Sequence, residues 1–381
     1  MANYCDIKDY GLVLGSFSPM HTGHLDLIMM AKKVCRKGAI VAVCGLDGDR
    51  GTRVGLPLER RYEIVSEIFR GDPLVKVVCM KDNDIGIAGY NDKWKEWLTA
   101  LAKRIARELA EDVSWQYLLA NLTLFTGEEA YMNAVESAPV GYRETRGYIE
   151  ELGPNAFLIP RTVNTISATQ IRKRPMTFWN EIVGPYRPAF AKRILVIGTA
   201  SEGKSTLTRD LATYFDADFS VEYGHEVIAD RTRDDLKPDD TKLSYPDFIA
   251  FLDRQYEMNV SCSKKLKICD SDAMTTLMYA KYYSEDPRYT LSKEDYLKLE
   301  EHARFLKYDL IFIIPPKEKS WVQDGSRDCL TNSFEDRKNM YQVLMKIIGQ
   351  HYCTEDVVYL TGTYYRNFLT AKDRIKQLLE D

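Results

Sequence analysis

At 381 residues, with 45% hydrophobic and 28% charged side chains, the chain is long for one core and suits two domains of about 150–200 residues each. A formal net charge of −4 excludes the broad basic surface that sequence-independent nucleic-acid binding needs. No apolar run approaches the roughly 20 residues of a membrane-spanning helix, and Met1–Asp6 has neither a basic stretch nor an apolar signal core, so a cytoplasmic protein without membrane insertion is expected.

The predicted elements begin with a buried strand over Gly11 to Gly15, a short apolar run closed by glycine. A helix follows over His24 to Cys35, with Leu25, Ile28, Met29 and Ala31 to Val34 available to a core face. Ala39 to Cys44 reads as a strand, Leu58 to Phe69 as a helix and Val75 to Met80 as a third strand. Trp94 and Trp97 fall in an amphipathic helix, and Ala120 to Phe125 and Ala156 to Ile159 supply two more strands. Strands alternating with helices predict a doubly wound parallel α/β sheet.

Near residue 180 the pattern breaks. Asn180 to Pro188 carries two prolines and a glycine, which places a boundary there: a first domain over 1–180, a linker over 181–191 and a second α/β domain over 192–381. A new first strand runs from Arg193 to Gly198, a helix covers Thr206 to Tyr214, and further strands lie at Leu266 to Cys269 and Leu310 to Ile314. Asp230 to Asp240 is too polar for a core and reads as a solvated loop; Phe368 to Leu379 is an amphipathic closing helix. The eight cysteines are scattered with no C-x-x-C pair and are expected to be reduced thiols.

Two phosphate-handling motifs of unrelated design are embedded in this frame. The first is Gly15-Ser16-Phe17-Ser18-Pro19-Met20-His21-Thr22-Gly23-His24, a loop between a strand and a helix. Free amides and the positive end of the helix dipole suit a phosphate there, and His21 and His24 can donate to the α- and β-phosphates of ATP. Such donors matter most as charge grows during attack on the α-phosphorus. Downstream, Ile166-Ser167-Ala168-Thr169-Gln170-Ile171-Arg172 matches the I-S-x-T-x-x-R element of the nucleotidyltransferase superfamily. By that resemblance Ser167 and Thr169 cap a helix over the triphosphate and Arg172 holds its β- and γ-phosphates; taken alone, Ser167 is an ordinary N-cap.

The second motif, Gly198 to Ser205, fits G-x-x-x-x-G-K-[ST] between a strand and a helix. Its backbone amides should wrap ATP phosphates, with Gly198, Ser201, Glu202, Gly203 and Thr206 in the loop, Lys204 on the β/γ oxygens and Ser205 on magnesium. Two acidic stretches follow. Glu222-Tyr223-Gly224-His225-Glu226 should close the second strand, and Asp270 in Ile268-Cys269-Asp270-Ser271-Asp272 stands where a magnesium-holding carboxylate would be. Arg327, after the strand Leu310 to Ile314, is either a lid arginine closing on the transferring phosphate or a surface side chain.

These strings together resemble the NadR-type bifunctional family, a nicotinamide-mononucleotide (NMN) adenylyltransferase fused to a ribosylnicotinamide kinase. The resemblance covers nearly the whole chain and is sharpest across the junction, where Pro175, Phe178-Trp179 and Pro188 lead into the P-loop strand, and in Glu222-Tyr223-Gly224, Asp270-Ser271-Asp272 and Trp321-Val322-Gln323-Asp324-Gly325. It implies that nicotinamide riboside plus ATP gives NMN, that NMN plus ATP gives NAD and pyrophosphate, and that both steps use magnesium. His21, His24, Lys204, Glu222 and Asp270 are then the catalytic candidates, and Glu222, Tyr223, Asp272 and Asp324 the substrate contacts. Trp94 and Trp97 could stack on the pyridinium ring or simply pack in the core. The chain departs from the family at Ser16 (usually lysine), at His225 (usually arginine) and in the Thr-Ala-Ser-Glu of its P-loop. His225 motivates the runner-up reading, a nucleotide-sensing regulator with an active adenylyltransferase half and a weak or repurposed kinase half. Some members carry an N-terminal DNA-binding module; only about ten residues precede the first strand here, so no nucleic-acid partner is expected. Homo-oligomerisation is compatible with everything in the sequence.

Overall fold

The computed structural model describes residues 8–82, 93–109, 113–159, 165–232, 243–285, 290–318, 333–352 and 357–380. It divides into two compact units, Met1–Ala189 and Phe190–Asp381.

In the first unit, β1 (Tyr10–Gly15), α1 (Thr22–Val34), β2 (Ala39–Gly45), α2 (Leu58–Ile68) and β3 (Val75–Lys81) alternate as expected. After α3 (Trp94–Glu108) and α4 (Trp115–Ala120) come β4 (Leu122–Thr126), α5 (Met132–Glu136), β5 (Gly141–Thr145), β6 (Tyr148–Leu152), β7 (Asn155–Leu158) and α6 (Ala168–Lys173). The five-stranded sheet has the order β3-β2-β1-β4-β7 with every pairing parallel. All seven residues of β2 are buried, the continuous apolar run a parallel strand needs when both faces are covered. β1 lies between β2 and β4, so the chain after β1 leaves the sheet at its topological switch point, where such sheets bind ligands.

Two details differ from the sequence expectation. Ala120 ends α4 instead of starting a strand, because Asn121 turns the chain by donating its side-chain amide to the Tyr117 carbonyl (2.9 Å). The antiparallel hairpin β5–β6 was not expected. Its turn is Arg146-Gly147, with φ of 54° and 82°, the left-handed pair that a two-residue hairpin requires.

The second unit contains β8 (Lys192–Gly198), α7 (Lys204–Phe215), β9 (Asp218–Ser220), α8 (Tyr223–Thr232), α9 (Tyr245–Val260), β10 (Leu266–Asp270), α10 (Ala273–Glu285), α11 (Lys293–His302), β11 (Leu310–Ile314), α12 (Phe334–His351), β12 (Val357–Tyr359) and α13 (Tyr364–Leu379). Its sheet is again parallel, in the order β12-β11-β8-β10-β9. Alternate residues of β8 enter two cores. Ile194 and Val196 pack with Leu207, Leu211 and Ile375 on one face, while Leu195 and Ile197 pack with Phe248, Met274 and Leu344 on the other. The polar stretch expected as a loop is partly helix, since α8 continues through Thr232; residues 233–242 lie outside the described set.

Ser244 and Asp247 form a capping box at the start of α9, and Arg231 also bonds to Asp247. Burial opposes ionisation of Asp247, but these hydrogen bonds outweigh it and hold the carboxyl down at about 2. A carboxyl lowered by folding stabilises the protein above its unfolded value near 4 and loses that contribution as pH falls towards 2. Asp247→Ala should therefore cost the second unit about 1 kcal/mol at pH 7, a difference that fades through this acid window in denaturation measurements. A constant difference between pH 7 and pH 2 would refute the assignment.

The described cysteines, Cys35, Cys44, Cys79, Cys262 and Cys269, are free thiols, and burial pushes all five up, Cys35 to about 11. None has the lowered value of a nucleophile. Among the described residues no helix is long and apolar enough to cross a membrane.

The segment expected as a linker over 181–191 is mostly part of the first unit. Ile182 bridges His21, Val183 N–H donates to the Met20 carbonyl (3.2 Å), and Tyr186 is fully buried. Its prolines and glycine build short 3-10 turns that pack down instead of running free.

Candidate active sites

The first site is assembled at the C-terminal end of β1. His21 is the N-cap of α1, with extended backbone (φ −132°), and His24 sits one turn inside. The His21 N–H donates to His24 Nδ1 (3.3 Å), which leaves the proton of a neutral His24 ring on Nε2, the form that donates to a phosphate oxygen. The two rings lie 3.8 Å apart and Phe17 meets His24 edge-on at 4.9 Å. Phe17 takes a left-handed φ of 45° and is buried, so it anchors the loop from below, while Gly15 and Ser16 stay half-buried beside it.

Arg172, from α6, reaches the same loop. Its guanidinium donates to the Ser18 carbonyl (2.6 Å) and to Thr169 Oγ1 (2.9 Å), while Ser167 caps α6 by accepting from Gln170 N–H (3.2 Å). The structure thus joins the two motifs through residues 154 positions apart. Burial, and then the nearby Arg50, disfavour the charged form of Arg172. A cationic group under such strain favours an anionic ligand.

The sequence reading missed the brace beneath this loop. Arg61, on α2, is wholly buried; it donates to the Ser16 carbonyl (2.7 Å) and to Asp49 Oδ2 (2.7 Å). Asp49 in turn accepts from the Gly51 N–H (2.8 Å). The available signal was helical spacing, since Arg61 shares the apolar face of Leu58, Ile64 and Val65. Thr22 also bonds to Glu181, tying the histidine helix to the packed-down 181–189 segment.

Trp94 and Trp97 take the packing role. Both lie in the first core, Trp97 with 1% of its surface exposed, and Trp97 Nε1–H donates to Asp82 (3.0 Å).

The second site lies after β8. Gly198 has φ 156°, and a Cβ there would stand 2.4 Å from the Ile314 carbonyl oxygen, so only glycine lets the loop leave between β8 and β11. Ser201 and Gly203 take left-handed φ values of 66° and 83°, which turn successive amides inward before α7 starts at Lys204. Lys204 Nζ donates to the Thr199 carbonyl (2.9 Å), holding the ammonium over the loop, and Ser205 and Thr206 are exposed beside it.

The side chain of Glu202, a residue expected in the ATP loop, has protein partners of its own. Its carboxylate is completely buried and accepts from Arg337 on α12 (2.5 Å) and from the Lys317 N–H (3.2 Å). Arg337 also donates to the Lys317 carbonyl (3.0 Å). This pair braces the loop from behind, and nothing in the local sequence announces it.

Asp270 ends β10 beside the P-loop and is 2% exposed. Burial raises its carboxyl above the usual range; Lys204 and a hydrogen bond from Ser205 pull it back, Glu222 pushes it up and His225 lowers it. Lys204, Ser205, Glu222 and His225 therefore all act on one carboxylate. Among the described residues its Oδ1 is buried without a hydrogen-bond partner, and with the adjacent Ser205 hydroxyl it fits a divalent cation. Asp272 is fully buried and pushed up to about 7 by desolvation; it accepts from the Met274 N–H (2.9 Å) at the start of α10. Tyr223 opens α8 with its ring edge-on to Phe251. Asp324 and Arg327 lie outside the described residues.

A cytidylyltransferase-like family model matches residues 12–174, and an AAA-domain model matches residues 193–362. Fold and sites together define a two-domain transferase, a nucleotidyltransferase followed by a P-loop kinase. The trifunctional NAD biosynthesis/regulator proteins NadR of Salmonella typhimurium and Escherichia coli are each 26% identical, over 98% of this chain and 84% of theirs. A crystal structure of a NadR protein in complex with NR is 28% identical, with a TM-score of 0.77 over 98% of this chain and 97% of that one. A second, in complex with NAD and AMP-PNP, is also 28% identical, with a TM-score of 0.76. The chain is a NadR-type protein.

Proposed function

We propose that this chain makes NAD from nicotinamide riboside in two ATP-dependent steps, one in each unit. The observation that carries the reading is the presence of two separately braced phosphate sites, each at the switch point of its own parallel sheet. Relatives crystallised with NR and with NAD and AMP-PNP supply the matching ligands.

In the kinase half, the riboside hydroxyl attacks the γ-phosphorus of ATP. A new P–O bond forms, the bond to the bridging β,γ-oxygen breaks, and ADP leaves. Glu222 orients the hydroxyl and takes its proton, while Lys204 and the loop amides hold the charge that develops. Magnesium, which Asp270 and Ser205 would hold, would supply further neutralisation of the polyphosphate. The similarity of the whole chain to NAD-biosynthesis proteins, and of its fold to NadR structures holding NR and NAD with AMP-PNP, disfavours the sensing-regulator reading.

In the adenylyltransferase half, an oxygen of the NMN phosphate attacks the α-phosphorus and pyrophosphate leaves. His21, His24 and Arg172 stabilise the charge on the phosphate oxygens; no covalent intermediate on the protein is needed. Placement in the cytoplasm belongs to the same proposal.

A chromatographic time course of nicotinamide riboside with ATP and magnesium is expected to show NMN first and NAD after it. If supplied NMN is converted to NAD while the riboside stays untouched, the kinase half has a different acceptor.

A further inference from the structure

Helix α9 buries two side-chain amides that the reaction as described does not use. Gln255 is 2% exposed and Asn259 1%, and they lie one turn apart on a face otherwise occupied by Phe248, Phe251 and Leu252. Amides in such a position are costly unless each donor and acceptor is matched. Here they are matched, and the partners have a pattern. Gln255 Oε1 accepts from the Tyr223 N–H (2.9 Å) and Nε2 donates to the Val221 carbonyl (3.0 Å), so the amide brackets Glu222 from both sides. Asn259 Nδ2 donates to the Ser271 carbonyl (3.0 Å), the residue between Asp270 and Asp272, and to the Tyr308 hydroxyl (3.0 Å). Asn259 Oδ1 accepts from Ser220 Oγ (2.6 Å) and from Gln255 Nε2 (3.1 Å), joining the two halves.

The location explains why amides are needed. β9 and β10 pair only from Asp218–Lys267 to Ser220–Cys269, and the ladder stops there. Beyond it Asp270 still pairs with Val196 of β8 and the Ser271 N–H donates to the Val196 carbonyl (3.3 Å), but no β9–β10 rung fixes the separation of Val221–Tyr223 from Asp270–Asp272. Ser271 also sits in a left-handed conformation (φ 81°) that needs outside support. Gln255 and Asn259 take the place of the missing rungs, with side chains standing in for backbone.

We propose that Gln255 and Asn259 are positioning residues of the kinase reaction, which set the separation of the Glu222 and Asp270 carboxylates across the end of the sheet. The proposal rests on the kinase reading above. It follows that the amides govern the reacting geometry and leave the P-loop, which is braced separately by Glu202 and Arg337, undisturbed.

The test is Gln255→Met, which keeps volume and removes both bracketing bonds, together with Asn259→Asp, which keeps the acceptor and loses the donors to Ser271 and Tyr308. In both, kcat for riboside phosphorylation should fall about tenfold or more, since misplacement by a fraction of an ångström is enough. The KM for ATP should stay within about twofold and the magnesium concentration for half-maximal rate should rise several-fold, because the P-loop stays in place while Asp270 shifts. Gln255→Glu, which keeps the acceptor for Tyr223, should fall between wild type and Gln255→Met. NMN adenylylation by the same molecules reports that the chain is intact. The inference is overturned if kcat holds within about twofold in both variants, or if kcat, the KM for ATP and the unfolding midpoint deteriorate together, the signature of lost packing alone. Failure of the wild type to phosphorylate the riboside would instead overturn the substrate assignment, and the kcat–KM split is then read on the nucleoside that it does accept.

Discussion

Lys204→Ala is expected to lower riboside phosphorylation by about 10³-fold while leaving NMN adenylylation within about twofold, and His24→Ala to do the reverse, lowering adenylylation by about 10²–10³-fold. The two effects separate because each side chain serves a different reaction in a different unit. Lys204 is buried and held against its own loop, so its charge acts in a site of low polarity where a single cation counts for much more than in water. His24 is fixed by the His21 N–H in the tautomer that donates from Nε2, and its loss removes a donor aimed at charge that appears only in the transition state. Chromatography of riboside, NMN and NAD against time on both variants reads the outcome. His24→Ala should accumulate NMN; Lys204→Ala should make nothing from the riboside and still convert added NMN. Equal loss of both activities in either variant would show that the sites are not independent.

Arg337→Ala should be the most destabilising single change outside the apolar cores. It leaves the Glu202 carboxylate buried with its principal charge partner gone, which typically costs about 3–5 kcal/mol. The same guanidinium holds the Lys317 carbonyl, so the P-loop should loosen and the KM for ATP of the kinase step should rise. Chemical denaturation of the second unit, followed alongside adenylyltransferase activity, separates this from global unfolding. Removing both charges together (Arg337→Met with Glu202→Gln) should recover most of the stability, because the penalty lies in the isolated buried charge more than in the lost attraction. Equal destabilisation by the single and double variants would show that packing, not charge, is what Arg337 supplies.

What the sequence by itself determined is local. A glycine-closed apolar run followed by His21-Thr22-Gly23-His24, and another followed by Gly203-Lys204-Ser205, each specify strand, loop and helix within about twenty residues, so their elements appear where expected. The element between residues 181 and 189 did not follow local chemistry. Proline and glycine there read as a break, yet burial of Tyr186 and the bridge of Ile182 to His21 make it a support for the first site. Trp97 carried an ambiguous signal, because an amphipathic helix places a tryptophan equally well toward ligand or core, and packing decided for the core.

Tertiary structure alone decided which distant groups face one another. Strand order β8-β10-β9, which no local pattern encodes, sets Asp270 next to the P-loop and leaves Glu222 one strand further out. Arg61, Arg337, Gln255 and Asn259 escaped the sequence reading for the same reason. A polar side chain on a helix is solvated by default, and it becomes a brace only when folding carries it away from water and onto a loop whose backbone must be satisfied.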